Sequence, residues 1–482
     1  MSIDAIPPEN NEENHDNSNS NKPNIIVVGA SYVGEQSLYS KLKTVQLKSH
    51  PGSKVVDDLI PLVHETHNII VVEKSSHFQN VFAFPRLHAV PGFENSAFVP
   101  YSSDYFKEAR NSIAEQTRSL PSSTQIVHGL VTSVLPNEIV LETGETIPYE
   151  YLILATGTGQ RTTFENIKTA HKVCHRENDK TKGISLIHSW QADIEKAESI
   201  IVVGGGAYGV QLVTDIKTHE PTSFHHSLHD ITMEKIKEYG IDTVLGQRAV
   251  KIEKVEERRE CYGGNGLANG NGKAHRKEEF VVHLSARIRT NLVDHLPRRD
   301  TALRTSPHSR PIRYRPQTGY IRVLPTLQID TSSDGKSTSY PNVFALGDVA
   351  DTGAHKAARP GHFQSGVVTR NIQRLIESNQ KRRLKCNGNG HADGVEHIID
   401  GISMLGKSRE SLESLESYTP LTPGIHLRLG MKDSLIFRNP APGSTTPGIH
   451  WDEPGSSSFD CGCERYWKRR AETFWKNRDL SA

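Results

Sequence analysis

The sequence predicts an α/β fold in which one strand-turn-helix unit is inserted within another, followed by a small C-terminal segment. Three observations support this fold class. Two β-branched runs each meet a glycine-rich turn, within Asn24–Gly34 and Ser199–Ile216, and a third apolar run, Val343–Leu346, leads into Gly347-Asp348. A β-branched run that meets a glycine-rich turn is typical of a strand passing into a helix. The second unit therefore interrupts the first.

The composition excludes several classes of protein. The chain has 482 residues, which is enough for two or three domains. Its formal net charge is +1, from 57 basic and 56 acidic residues, so electrostatics gives no case for a nucleic-acid partner. A hydrophobic content of 35% is low and indicates stretches of polar, unfolded sequence. The scattered cysteines favour a reducing compartment and argue against a disulfide framework or a dithiol redox centre: Cys174, Cys261, Cys386, Cys461 and Cys463.

The first 22 residues are acidic, rich in Asn and Ser, and contain no apolar run. We expect a disordered tail rather than a signal or transit peptide. No run of about 18 apolar residues occurs anywhere in the sequence, so no transmembrane helix is expected. The predicted location is cytoplasmic.

The first unit has the pattern of a dinucleotide-binding turn. Gly29, Ser31 and Gly34 place small residues where a chain turns tightly, approaches a pyrophosphate and packs a helix on a strand. The next strand, NIIVVEKS, carries Glu73, the expected acceptor for ribose hydroxyls. Glu73 follows Gly34 by 39 residues (73 − 34), against about 20 in a compact unit, and we assign the excess to a loop within Lys43–Asp58. The alternative is an ordinary glycine-rich connection.

Two later strand ends are expected at the same site. Glu150–Gln160 ends a buried strand at Ala155, Thr156 and Gly157, where small residues would let the backbone approach a dinucleotide; a simple strand exit is the alternative. At Gly347-Asp348 a carboxylate could accept hydrogen bonds from sugar-like hydroxyls at the start of a helix. Between Glu73 and Glu150 the sequence predicts a loop over 81–92 and a hairpin with turns near 136 and 144.

The second unit carries a dinucleotide turn at Gly204, Gly206 and Gly209, directly after a predicted strand at 199–203. Two such turns imply one flavin and one nicotinamide dinucleotide. However, Lys217–Lys235 contains no apolar run, and the first later strand candidate is Ile241–Gly246. The strand that would carry a ribose acceptor is therefore missing from the predicted second unit.

These patterns divide the chain into six parts. They are a tail (1–22), the first part of an FAD-binding domain (23–197), an incomplete NAD(P)H-binding domain (198–311), the second part of the FAD-binding domain (312–378), a flexible linker (379–416) and a C-terminal segment (417–482). Strands are also expected within Phe280–Asp300 and at Gly319–Ile329, and the C-terminal segment is predicted to hold a hairpin at Gly424–Phe437 and a terminal helix.

Four features together resemble the apoptosis-inducing-factor-like flavoproteins: the turn pair, the strand end ATG, and the segments VFALGDVADTGAHKAARPG and LGMKDSLIF. The resemblance is especially to fungal relatives of the ferroptosis-suppressor type of NAD(P)H:quinone oxidoreductase. The resemblance covers roughly residues 24–482, apart from insertions, and implies two Rossmann-like domains. It implies that FAD is bound without a covalent bond, that NADH or NADPH delivers hydride to it, and that a quinone-like acceptor reoxidises it.

The resemblance also assigns roles to individual residues. Gly29, Ser31 and Gly34 would face the FAD pyrophosphate, Glu73 the adenosine ribose, Asp348 a ribityl hydroxyl, and Pro85, Arg86 and Lys356 the flavin ring. A solvated helix lysine is the alternative for Lys356. Relatives often carry Glu two residues after the last glycine of the nicotinamide turn, where this chain has Gln211, which cannot relay a proton. About a dozen residues of the relatives' second domain also have no counterpart here, and a second ATG turn is replaced by LSARIRTN.

The favoured function is an FAD-dependent NAD(P)H oxidoreductase with a quinone-like acceptor. The alternatives are a flavin-binding protein that has lost hydride transfer and acts as a regulatory partner, or a flavoenzyme of a biosynthetic pathway. No metal site is predicted, because the histidines of SFHHSLHD have no carboxylate or cysteine partner at a suitable spacing. The basic, aromatic terminal helix could rest on a membrane surface or dock on its own domain. The sequence predicts no oligomeric state.

Overall fold

The computed structural model describes residues 22–30, 51–111, 124–157, 180–197, 200–203, 207–216, 226–244, 247–255, 279–286, 312–315, 318–332, 338–387, 415–430, 433–452 and 461–480. All structural statements below concern these residues.

The strands, in chain order, are β1 (Asn24–Val28), β2 (Asn68–Glu73), β3 (His77–Gln79), β4 (Phe98–Pro100), β5 (Thr124–His128), β6 (Val131–Val134), β7 (Glu138–Leu141), β8 (Thr146–Pro148), β9 (Tyr151–Leu154), β10 (Gln247–Val255), β11 (Glu279–Ala286), β12 (Ile321–Arg322), β13 (Val343–Ala345), β14 (Ala350–Asp351), β15 (Gly424–Leu429), β16 (Asp433–Arg438) and β17 (Gly448–Trp451). The helices are α1 (Pro51–Val63), α2 (Phe84–Ala89), α3 (Lys180–Lys196), α4 (Ala207–Ile216), α5 (His226–Glu238), α6 (Ala358–Asn387), α7 (Cys463–Arg470) and α8 (Glu472–Lys476). Short 3-10 helices cover Glu94–Ala97 and Gly347–Val349.

The central sheet is parallel and five-stranded, with the order β13-β9-β1-β2-β5. The chain adds β2 and β5 on one side of β1, then β9 and β13 on the other side. The strand order therefore reverses between β1 and β9, and the carboxyl ends of all five strands lie at one edge. Ligands of open α/β sheets bind in the crevice outside such a reversal point.

Each face of the sheet is buried by a different layer. Side chains at alternate positions of β1 point to opposite faces, as expected for a strand. Ile25 and Val27 share a core with α1, α6 and the C-terminal helix α7. Ile26 and Val28 share a second core with the antiparallel sheet β6-β7-β8. The first unit is therefore a three-layer α/β domain, as the sequence predicts.

The second unit differs from its prediction. Ile200–Val203 form no strand, and Ile200, Ile201 and Val203 are 41%, 67% and 46% exposed. The strand candidate at 241–246 also forms no strand over its described residues, where Val244 is 68% exposed. An isolated strand has no partner for its backbone groups, so a β-branched sequence alone does not produce one. A complete second dinucleotide domain is not observed in the described part of the chain.

Several local predictions are also wrong. The predicted loop within Lys43–Asp58 becomes helical from Pro51, the predicted loop over 81–92 contains α2, and the predicted linker at 379–416 begins inside α6. The predicted strand at 319–329 shrinks to β12. The predicted hairpin at 124–149 splits, because β5 joins the central sheet while β6, β7 and β8 form their own, with turns near 136 and 144 as expected. The strand expected within 280–300 forms as β11, paired with β10.

The C-terminal segment confirms the predicted hairpin, β15–β16, and extends it with β17. The predicted terminal helix forms as α7 and α8, with a break at Ala471. Trp467 is completely buried in the core beneath α1, so the aromatic side of α7 docks on its own domain. No helix in the described ranges has the length and hydropathy needed to cross a membrane.

Candidate nucleotide-binding site

Three of the predicted turns converge at the carboxyl edge of the central sheet. The Gly29 N–H donates to the Val72 carbonyl (2.9 Å), and the Ala155 N–H donates to the Val28 carbonyl (2.9 Å). The Leu346 N–H donates to the Leu154 carbonyl (3.1 Å), which brings Gly347 to the same edge. Glycine-rich backbone from β1, β9 and β13 therefore surrounds the point where the strand order reverses.

The turn after β1 accepts only glycine at its first position. Gly29 has φ of +96°, a conformation that L side chains rarely adopt. A Cβ built on Gly29 would lie 2.6 Å from the Ala155 carbonyl oxygen and 2.9 Å from the carbonyl carbon. The backbones of the two turns are therefore in direct contact, with no room for a side chain between them.

Glu73 holds the same turn from the other side. One carboxylate oxygen accepts the Ala30 N–H at 2.7 Å, and the other accepts the Ser75 N–H at 3.0 Å. Glu73 is only 5% exposed. A carboxylate offers about four acceptor positions, so acceptor capacity remains after these two bonds. Glu73 thus orders the turn and retains capacity for further donors such as hydroxyls.

Asp348 and Lys356 lie near each other at the end of β13. The Gly347 N–H donates to Gln364 (2.8 Å), and Asp348 follows in the 3-10 helix. Burial raises the pKa of Asp348 and lowers that of Lys356, and the opposite charge of each partly offsets the shift of the other. The Lys356 ammonium donates to the Ala350 carbonyl and lies 4.1 Å from the centre of the Tyr320 ring. Its position is therefore fixed by contacts within the protein.

Comparisons with known proteins agree with this geometry. Residues 59–282 match the family model described as pyridine nucleotide-disulphide oxidoreductase. This part of the chain is similar to a pyridine nucleotide-disulphide oxidoreductase domain. The chain is 24% identical to Fe-regulated protein 8 of Mycosarcoma maydis over 88% of this chain and 93% of that protein. It is 25% identical to ferroptosis suppressor protein 1 of Mus musculus over 66% of this chain and 76% of that protein.

Among solved structures, the sulfide:quinone oxidoreductase of Aquifex aeolicus has a similar fold, with a TM-score of 0.54 and 14% identity over 95% of this chain and 92% of that one. The resemblance stated from the sequence is confirmed: the chain is similar to ferroptosis suppressor protein 1 and to apoptosis-inducing factor homologs. Members of this family are oxidoreductases that depend on FAD and NAD(P)H.

The turns that follow β1 and β9 at the sheet edge fit FAD. Gly29 supplies backbone without a side chain, Gly157 has φ of +68° with open space beside its Cα, and Glu73 retains acceptor capacity. These are the features that a pyrophosphate and a ribose require of such a turn. Of the predicted FAD residues, Ser31 and Gly34 lie outside the described residues.

Two residues predicted to lie near the flavin ring, Pro85 and Arg86, are found in α2. Both are buried there, and the Arg86 guanidinium donates to the Gly430 carbonyl at 2.9 Å. Arg86 thus links α2 to the C-terminal sheet. The proximity of Pro85 and Arg86 to the flavin ring stays a prediction.

The second turn is only partly described. Gly204 and Gly206 lie outside the described residues, whereas Gly209 and the buried Gln211 lie in α4. Helix α4 packs on α2 and on β15, through clusters that contain Tyr208 and Val210. The structure therefore places Gln211 and Lys356 against different elements.

Sequence reasoning missed the residues that support the first turn. Ser53 donates to the Ala30 carbonyl at 3.1 Å and lies 3.4 Å from the Tyr105 hydroxyl. The Tyr105 hydroxyl lies 2.8 Å from that of Tyr466 on α7, and Arg470 donates to the Tyr105 carbonyl at 2.9 Å. No motif marks Tyr105, Tyr466 or Arg470. For Ser53, its place two residues after a proline at the start of an apolar helical stretch is a signal that could have been used.

The described residues contain no cluster of three or more His, Cys, Asp or Glu suited to a metal ion. Of the three histidines considered above, His225 lies outside the described residues, and His226 and His229 lie in α5, where their side chains are not described.

Proposed function

We propose that the protein is an FAD-dependent oxidoreductase that passes hydride from NADH or NADPH through the flavin to a quinone-like acceptor. The observation that carries the proposal is the convergence of Gly29, the Ala155–Gly157 turn and Gly347-Asp348 at the point where the strand order reverses. This is where an open parallel sheet binds a nucleotide. FAD would supply the two-electron chemistry, and the chain's own residues would bind and orient it.

Each part of the proposed site has a distinct task. The backbone of Gly29 and Gly157 would lie against the pyrophosphate, and Glu73 would accept hydrogen bonds from the adenosine ribose. Asp348 would accept a ribityl hydroxyl, and burial favours its protonated form, which could also donate. Lys356 would place a cation on the flavin side of the site, where it favours the anionic reduced form.

The acceptor is proposed from relatives. A protein of similar fold is a sulfide:quinone oxidoreductase, and the sequence resembles ferroptosis-suppressor proteins. The location that fits this proposal is the cytoplasm, with the docked helix α7 arguing against membrane contact through its aromatic side.

A second candidate is favoured by one observation. Ile200, Ile201 and Val203, predicted as the strand before the nicotinamide turn, are exposed and form no strand. A protein with this feature could bind FAD and lack hydride transfer, serving as a binding partner.

Anaerobic stopped-flow absorbance separates the two candidates. The purified protein, reconstituted with FAD, is mixed with NADH and separately with NADPH. Bleaching of the oxidised flavin band, followed by its return when a short-chain quinone is added, is the expected result. A flavin that binds and is never reduced by either nucleotide would reject hydride transfer and favour the second candidate. Reduction without reoxidation by quinone would reject the acceptor only.

A further inference from the structure

We propose that residues 35–52 are an insertion within the first nucleotide-binding turn, and that Ser53 is the residue that follows Gly34 in the working turn. The inference rests on the proposed function, because it concerns the residues that would hold FAD. It resolves the mismatch between the turn and Glu73, and it identifies Ser53 as a positioning residue of the site.

The first evidence is the position of Ser53. Its hydroxyl donates to the Ala30 carbonyl at 3.1 Å, although 22 residues, 31–52, separate the two in the chain. Ser53 is completely buried there and lies beside the Tyr105 hydroxyl. The chain therefore returns to the carboxyl end of β1 before α1 continues. A direct turn of four residues, 31–34, could also join these two points.

The second evidence is spacing. Glu73 lies 20 residues after Ser53 (73 − 53), against 39 after Gly34. A compact unit places its acidic residue about 20 residues after the last glycine. Glu73 also closes the unit in space, because its carboxylate accepts the Ala30 N–H at 2.7 Å. Measured from Ser53, the acidic residue therefore follows at the usual spacing in sequence, and it contacts the turn in the structure.

The third evidence is the packing of α1. Five of its apolar residues are buried in the same core as β1 and β2: Val55, Val56, Leu59, Ile60 and Val63. This is the place of the helix that connects two neighbouring parallel strands. The described residues of this helix that pack on the sheet are therefore supplied by the segment that follows residue 52.

The local sequence fits the same alignment. Pro51-Gly52 precedes Ser53 in the chain, and Val33-Gly34 would precede it if residues 35–52 were removed. Either version places a glycine directly before Ser53, where a helix packs closely on a strand. Removal of residues 35–52 would therefore replace Pro51-Gly52 with Val33-Gly34 directly before Ser53.

The test is deletion of residues 35–52, with a matched variant in which the same 18 positions carry a Gly/Ser linker. Shortening the connection from 22 residues to four should raise the folded-to-unfolded ratio roughly tenfold, from loop-closure entropy alone. Urea unfolding without FAD measures this ratio, and fluorescence titration measures the FAD dissociation constant. We expect the deletion variant to be more stable and to bind FAD at least as tightly as the parent, and the linker variant to match the parent.

A deletion variant that is insoluble, less stable than the parent or more than tenfold weaker in FAD binding would overturn the proposal. So would a linker variant that loses binding, since residues 35–52 would then contribute contacts. If neither parent nor deletion variant binds FAD, the proposed function fails, while the urea data still decide whether the segment is an insertion.

Ser53→Ala provides a second readout that does not depend on the deletion being stabilising. If Ser53 occupies one place in both proteins, its substitution should lower the folded-to-unfolded ratio by the same factor, within about twofold, in the parent and in the deletion variant. Clearly different factors in the two proteins would show that deletion moves Ser53 and would reject the assignment.

Discussion

Substitution of Gly29 by alanine tests the contact between the first two turns. The new Cβ would lie 2.6 Å from the Ala155 carbonyl oxygen, and the residue would have to keep φ of +96°. A positive φ costs an L residue about 1–2 kcal/mol. Overpacking in a buried region costs a further 1–3 kcal/mol or so. Gly29→Ala should therefore lower the free energy of unfolding by about 2–5 kcal/mol, measured by urea denaturation without FAD.

Gly144→Ala is the matched control. Gly144 has φ of +88°, close to that of Gly29, but nothing lies within 4 Å of a Cβ at that position. It should show the conformational cost alone, about 1–2 kcal/mol. FAD affinity should fall with Gly29→Ala and remain unchanged with Gly144→Ala. Equal destabilisation by the two substitutions would refute the close approach of the β1 and β9 turns.

Three further substitutions are predicted from buried charges. Arg470→Met removes a buried cation and leaves its partner Asp57, whose side chain is 13% exposed, without the two hydrogen bonds of 3.1 and 2.6 Å; it should cost about 3–5 kcal/mol in urea unfolding. Contact with His67 holds the pKa of Glu150 below its ordinary value of 4.5. The contact therefore adds to the free energy of unfolding above pH 4.5, and this contribution is lost as the pH falls below that value. Glu150→Gln should flatten that part of the profile of stability against pH. Burial lowers the pKa of Lys180 from 10.5 to about 8. Between these two pH values the unfolded chain binds more protons than the folded chain, so the free energy of unfolding should rise with pH. Lys180→Met should remove this rise.

Each of these substitutions has an exposed counterpart in the same region. Arg469→Met breaks a surface pair with Glu108 and should cost at most about 1 kcal/mol. Glu145→Gln and Lys182→Met, at exposed positions, should leave the two pH profiles unchanged. An Arg469→Met cost equal to that of Arg470→Met, or pH profiles that shift with the exposed variants, would show that burial is not the cause.

The first unit could be predicted because its signals are local. A β-branched run ending in glycine specifies a buried strand and a tight turn within about ten residues, and parallel strands bring their carboxyl ends to one edge. Gly29, Glu73 and Ala155 follow from these two rules. Asp348 follows from the same rules, because β13 joins the sheet in parallel with β9.

The second unit could not be predicted in this way. Ile200–Val203 has the same β-branched pattern as β1, but a strand also needs neighbours for its backbone groups, and a run of residues contains no information about them. The support of the first turn was hidden for another reason. Arg470 and Asp57 are 413 residues apart in the chain, and Ser53 reaches Ala30 across an intervening segment. Contacts at such distances leave no periodic signal in the sequence.

The pairing of Arg470 with Asp57 also bears on how the chain is made. Domains generally fold during synthesis, the N-terminal ones first, at about 5–20 residues per second. Here the core beneath α1 includes Tyr466 and Trp467, which are synthesised about 440 residues after the end of β1 (466 − 28 = 438). Strand β1 must therefore wait for helix α7 before its domain is complete. A nascent chain that stalls before α7 is synthesised exposes this core, which makes it a target for chaperones and proteases.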